Sequence, residues 1–209
     1  MRVAGVDGTK NGWVAVVLED GRFADDLLIG PIESSFNELH DAGVVAVDVP
    51  IGFGPRAADG EARKFLAGAA STVFSTPSRE ILERPYGPGL GISAQAHALG
   101  PRILHVTNLA RTDNRIREVH PEVSFRAMND GQPLSYRKKS AGGALERIAL
   151  LRQKGIRMDG LRETATAPLD DVLDAAAAAW SAQRIALGIA ETLPCPPERM
   201  GEMKMCIWY

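Results

Sequence analysis

Residues 44–49 read Val44-Val45-Ala46-Val47-Asp48-Val49, an apolar, β-branched run interrupted by one acid. Such a run marks a central strand buried on both faces. Pro50 and Gly52 stop it. Burying a carboxylate costs several kcal/mol unless it is paired or coordinated. Asp48 is therefore the first residue to ask about.

Upstream, Val3 to Asp7 is a second short β-branched run ending in an acid, followed by a tight turn from Gly8 to Gly12. Trp13 to Leu18 reads as a strand, Asp20-Gly21 as a hairpin turn, and Arg22 to Ile29 as a third strand. Pro31 to Ala42 is expected to be a helix, with Phe36 and Leu39 on one face. The order is then an antiparallel meander, a crossover helix and a buried strand. A crossover of this kind sets the VVAVDV strand parallel to the first strand and beside it.

Downstream, residues 54–112 form an expected insertion over the sheet end. Helical stretches are expected at Glu61–Ala70 and Ser93–Ala110, the latter broken or kinked at Gly100-Pro101. Ile116 to His120 is expected as a fifth strand stopped by Pro121. Gly142 to Gln153 reads as an amphipathic helix with Leu145, Ile148, Ala149 and Arg152 on one face, and Pro168 to Leu187 as the last long helix.

A third acid, Asp174, sits in that last helix, in an apolar stretch followed by five alanines. If the two strands are adjacent and parallel, Asp7 and Asp48 emerge side by side, and their like charges repel. A hard divalent cation, Mg²⁺ or Mn²⁺, relieves the conflict. Asp171 lies three residues before Asp174 and shares its face. Asp7, Asp48, Asp171 and Asp174 are the candidate metal ligands, a set suited to two ions and to phosphodiester displacement. Glu118 and His120, in the segment EVHPEVSF, are further catalytic candidates, whereas Glu122 reads as a surface or capping acid. Lys10, Arg56, Arg63 and Lys139 are candidates for holding a phosphate, with Arg79 and Lys138 as further choices. The glycines of GPGLG follow no strand, and GTKNG lacks the P-loop's GK[ST], so neither is read as a nucleotide-binding loop.

The 209 residues suit one domain, and 45% hydrophobic with 24% charged residues is an ordinary globular balance. The net charge of -2 argues against strong unspecific nucleic-acid binding. Yet Arg102 to Lys139 holds eight Lys/Arg against four Asp/Glu, a local basic excess. Cys195 and Cys206 lack zinc-site spacing and read as free thiols. The stretch MRVAGVDG has no signal-peptide apolar region, and no run approaches the ~18 apolar residues of a membrane span. A cytoplasmic protein with no membrane partner is expected. The oligomeric state is not legible.

The segments GVDGTKNGWVAV, VDVPIGF, RAADGEARKFL, VFSTPSR, EVHPEVSF and DDVLDAAAAAW together resemble a bacterial and archaeal family called domain of unknown function 429. The resemblance runs from Met1 to about Pro194. That family is regarded as predicted nucleases of RNase H-like fold. The resemblance implies a mixed five-stranded α/β sheet, three antiparallel strands then parallel ones, flanked by helices. In RNase H-like enzymes the acids come from the first strand, the fourth strand and the last helix. Asp7, Asp48 and Asp174 match that pattern, and Asp171 matches the extra helix acid of the Holliday-junction resolvase type.

The leading expectation is a metal-dependent nuclease. Two alternatives remain: a protein that binds a small phosphorylated or nucleotide-like ligand, and a relative of the actin-like phosphotransferases. Nucleic acid and a small phosphorylated ligand both stay open as partners.

Overall fold

The computed structural model describes residues 1–209. The chain opens with β1 (Arg2–Thr9), β2 (Gly12–Glu19) and β3 (Arg22–Ile29), an antiparallel meander. Asp20 and Gly21 carry φ of 48° and 80° at the β2–β3 turn. Two left-handed residues match the right-handed strand twist, which is why Asp-Gly makes hairpins.

Next in the sheet come β4 (Val45–Val47) and β5 (Ile116–Glu118), both parallel, giving the order β3-β2-β1-β4-β5. This is the mixed five-stranded sheet that the sequence led us to expect. Strand β4 is shorter than the VVAVDV run, and β5 ends at Glu118 rather than His120.

Period-2 alternation sorts each strand between two cores. On β1, Ala4 and Val6 face a core shared with Phe36, Ile103 and Val106, whereas Val3 belongs to a core built on the last long helix. On β4, Val45 and Val47 join the first core, and Val44 and Ala46 the second. Continuing that count by one step puts Asp7 and Asp48 on the helix-covered face.

The connection from β4 to β5 holds α1 (Ala57–Leu66), α2 (Arg79–Leu82), α3 (Ala94–Ala98) and α4 (Gly100–Thr112). Pro101 does not kink a longer helix; it occupies the first turn of α4, where its missing N–H matters least. After β5 come α5 (Pro121–Met128), α6 (Ala141–Gln153) and α7 (Leu169–Ala186). A separate antiparallel pair closes the chain, β6 (Thr192–Met200) with β7 (Met203–Trp208).

Helix α7 lies against β1 almost backbone to backbone. A Cβ added at Gly5 would fall 2.0 Å from the Ala179 nitrogen and 2.1 Å from the Ala175 oxygen. The alanine run Ala175–Ala179 is fully buried against this strand. Small residues on both partners thus let helix and sheet meet closely, which sets Asp174 at the end of β1.

Three expectations need correction. Residues 31–42 hold only a 3₁₀ turn, Asn37–Leu39. Phe36 and Leu39 are buried as the spacing suggested, but one i, i+3 pair is too little apolar contact to offset helix initiation. Helix α6 buries Gly143, Arg147, Leu150 and Leu151 instead of the face through Leu145, which is 67% exposed. Pro121 does more than stop β5: it opens α5. No helix is long and apolar enough to cross a membrane.

Candidate metal centre

Strands β1 and β4 run in parallel with Val6 opposite Val47. Asp7 and Asp48 follow those residues directly, and the Asp48 N–H donates to the Val6 carbonyl at 2.9 Å. Asp174 comes from the second turn of α7, delivered by the Gly5–alanine contact. The three carboxylates can each present an oxygen so that all lie within 4.8 Å of one another, a grouping that could hold a metal ion.

Their environment opposes three negative charges. Burial raises the Asp7 carboxyl well above the usual range, and Asp48 and Asp174 raise it further. Asp48 is raised in the same way, by burial first and then by Asp174. Burial lifts Asp174 to about 6 even though Lys138 pulls the other way. One Asp7 oxygen accepts from the Gly8 N–H at 2.6 Å. On Asp174, Oδ2 accepts from Lys138, while Oδ1 is buried with no partner. A buried carboxylate oxygen left without a donor can take up a cation or a proton. Hard oxygen donors from three elements suit a hard divalent cation.

The acids open into a cavity of about 290 Å³ that also meets Lys138, Arg102 and His120. Arg102 donates to the Thr9 carbonyl and lies over the Trp13 ring at 5.4 Å. His120 is at the N-cap of α5, its Nε2 3.4 Å from the Thr72 carbonyl and its Nδ1 buried without a partner. Burial lowers its pKa, so the ring is neutral at neutral pH.

The remaining candidates divide. Glu118 lines the cavity but is engaged by Arg56 at 2.6 and 2.8 Å and by the Ile51 N–H at 2.7 Å. Arg56 is buried and also meets Asp59 at 2.5 and 3.1 Å, while Asp59 accepts from the Thr76 N–H at 2.7 Å. This closed network ties the VDVPIGF and VFSTPSR loops to β5 and leaves Arg56 no free donor face for a phosphate. Arg63 is turned to the Val73 carbonyl and Ser75 at 3.0 and 2.9 Å. Lys10 lies in the exposed β1–β2 turn beside Pro168. Lys139 lines a neighbouring depression with Asp170, so of the two adjacent lysines it is Lys138 that reaches the acids. Asp171 is half-buried one turn before Asp174 and does not line the cavity. Glu122 is no surface acid: it is buried and takes both oxygens to Arg147, at 2.7 and 2.8 Å.

Arg102 opens the basic stretch of the sequence, which does not single it out as a site residue. It sits 93 residues from its Thr9 partner, on a helix whose apolar pattern says nothing about charge.

Fold and site together define a mixed α/β protein with a buried carboxylate triad able to take a divalent ion. The family model described as protein of unknown function (DUF429) matches residues 5–199, and the chain belongs to that family. Neither the curated proteins nor the solved structures contain a significant match.

Proposed function

We propose that this protein is a metal-dependent phosphodiester hydrolase, a nuclease of RNase H-like type, with Asp7, Asp48 and Asp174 as the ligands of Mg²⁺ or Mn²⁺. The observation that carries the reading is the convergence of three carboxylates, two buried and Asp48 half-buried, one with an oxygen lacking any partner. The strand order and the origin of the acids in β1, just past β4 and in α7 support the RNase H-like comparison.

When bound, such an ion supplies Lewis-acid polarisation of a phosphoryl oxygen and a water of lowered pKa. The chain supplies the rest. Lys138 and Arg102 place positive charge at the cavity wall, where a phosphate approaching the acids must sit. Neutral His120 offers a ring nitrogen to accept or return a proton at that wall. Asp171, one turn before Asp174 and outside the cavity lining, adds negative charge felt at Asp7.

The test is cleavage of labelled single- and double-stranded DNA and RNA with Mn²⁺ or Mg²⁺. Wild type should cut at least one of them, and Asp7→Asn and Asp48→Asn should cut none while keeping their fold by circular dichroism. Equal cutting by wild type and both variants rejects the ligand assignment.

A second reading, binding of a small phosphorylated ligand, is favoured by one observation. The cavity of about 290 Å³ is at the lower end of ligand-pocket sizes. Arg115, which an open basic groove would need, is bound to Asp113 and to the carbonyls of Leu39, His40 and Ala42. Metal-dependent turnover of mononucleotides with no action on polymers would select this reading.

A further inference from the structure

Beside the acidic cavity lies a larger one of opposite charge. It is about 460 Å³ and meets Arg126, Arg137, Lys138 and Arg147, with Glu122 as its acid. Thr72, Glu122 and Lys138 line both cavities, so the two are neighbours with a shared wall. Glu122 is already neutralised by Arg147. Arg126 spends its donors on the carbonyls of Gly131 and Leu66, which leaves its charge uncompensated. Arg137 is exposed and has no ion-pair partner.

The wall of this cavity carries an aromatic ring. Tyr136 is 58% exposed. Its other side rests on α6, where a Cβ added at Gly142 would lie 2.8 Å from the ring. The loop is held in place. Ser135 and Tyr136 give their N–H groups to Glu146 at 2.8 and 3.2 Å, and Ser140 caps α6 through the Gly143 N–H at 3.0 Å. The Arg137 carbonyl abuts Gly143 so closely that a Cβ there would be 2.1 Å away. A fixed ring with one open face, flanked by unpaired cations, matches the two elements of single-strand recognition: stacking and backbone charge.

We propose that the loop around Tyr136, Arg137 and Lys139 binds a single-stranded polynucleotide, with an unpaired base stacked on Tyr136 and its phosphates led past Arg137 and Lys138 to the acids. The inference rests on the phosphodiester reading above and adds the substrate class. Charge logic supports the direction: a metal ion compensates the phosphate at the acids, whereas flanking phosphates need protein cations. Duplex DNA keeps its bases stacked internally and offers no free face to the ring. Unpaired DNA and unpaired RNA share this chemistry.

Binding is measured by fluorescence anisotropy with a labelled 12-nucleotide DNA, the same sequence as RNA, and the DNA duplex, all in chelator. Wild type should bind at least one single strand more tightly than the duplex. Tyr136→Ala should weaken that binding by about 5- to 100-fold, and Tyr136→Phe should retain it. Arg137→Ala with Lys139→Ala should lessen the salt dependence. Whichever strand binds tighter names the source. No single-strand binding, tighter duplex binding, or unchanged binding by Tyr136→Ala overturns the proposal. A parallel assay follows hydrolysis of bis(p-nitrophenyl) phosphate by wild type with Mn²⁺. Binding without hydrolysis would reject the hydrolase reading alone. Hydrolysis without binding would reject the strand-binding track alone.

Discussion

Lys138 donates to one oxygen of Asp174 while the other oxygen of the same carboxylate is buried without a partner. The ammonium therefore satisfies half of the acid and leaves half for another cation. It is the cation hydrogen-bonded to the acid cluster, and although burial opposes its charge, Asp174 and Asp48 raise its affinity for its own proton.

A lysine in that place repels a metal ion while attracting a phosphate. Lys138→Met should bind Mn²⁺ roughly tenfold more tightly than wild type, about 1.4 kcal/mol, in calorimetric titrations. The same variant should lose phosphate affinity. Unchanged metal affinity would place the ammonium too far from the ion to matter.

The metal-free acids make stability fall as pH rises. Asp174 is lifted from its ordinary 3.8 to about 6, so the folded state holds more protons than the unfolded chain between about pH 4 and 6. Asp48 is raised too. Asp48→Asn should be about as stable as wild type near pH 4. It should become more stable by on the order of 1 kcal/mol at pH 7 in chelator. Thermal melts from pH 4 to 8 read this difference, in which the acid-labile Asp26 is common to both proteins. Mn²⁺ at pH 7 should close the gap by stabilising wild type alone. Parallel melts across the range would show that the acids do not oppose one another.

How much of this could be read in the chain depends on which signals are local. An acid inside an apolar run is local, so Asp7, Asp48 and Asp174 were legible, as were the meander and the parallel strands. Partnership is not local. Nothing near Arg56 announces that Glu118, 62 residues away, will absorb its charge, and a phosphate role was expected of it instead. The hairpin β6–β7 was missed because Pro194, Pro196 and Pro197 lie within β6, and proline ordinarily speaks against a strand. Helix α6 misled by its composition: Leu145 faces solvent because Arg147 turns inward to meet Glu122.

Arg56→Ala would leave Glu118 and Asp59 buried without their cation. Losing one partner of a buried pair costs about 3–5 kcal/mol, so the urea midpoint should fall steeply. Arg56→Met combined with Glu118→Gln should recover part of the loss. A variant with reduced activity and an unchanged midpoint would return Arg56 to a role in substrate binding.

Gly5→Ala would force a methyl into the α7 backbone, 2.0 Å from the Ala179 nitrogen. Overpacking of this kind costs about 1–3 kcal/mol. Mn²⁺ affinity should drop as well, because the helix that yields also carries Asp174. A stable variant with intact metal affinity would mean that α7 does not set the position of Asp174.

That contact also divides the metal centre into unequal parts. Asp7 and Asp174 ride on a strand and a helix that touch through main chain, so the pair behaves as one rigid jaw. Asp48 follows a three-residue strand and precedes an irregular loop. Of the three acids it has the least main chain fixing it: the Val6–Val47 pairing before it and its own N–H on the Val6 carbonyl.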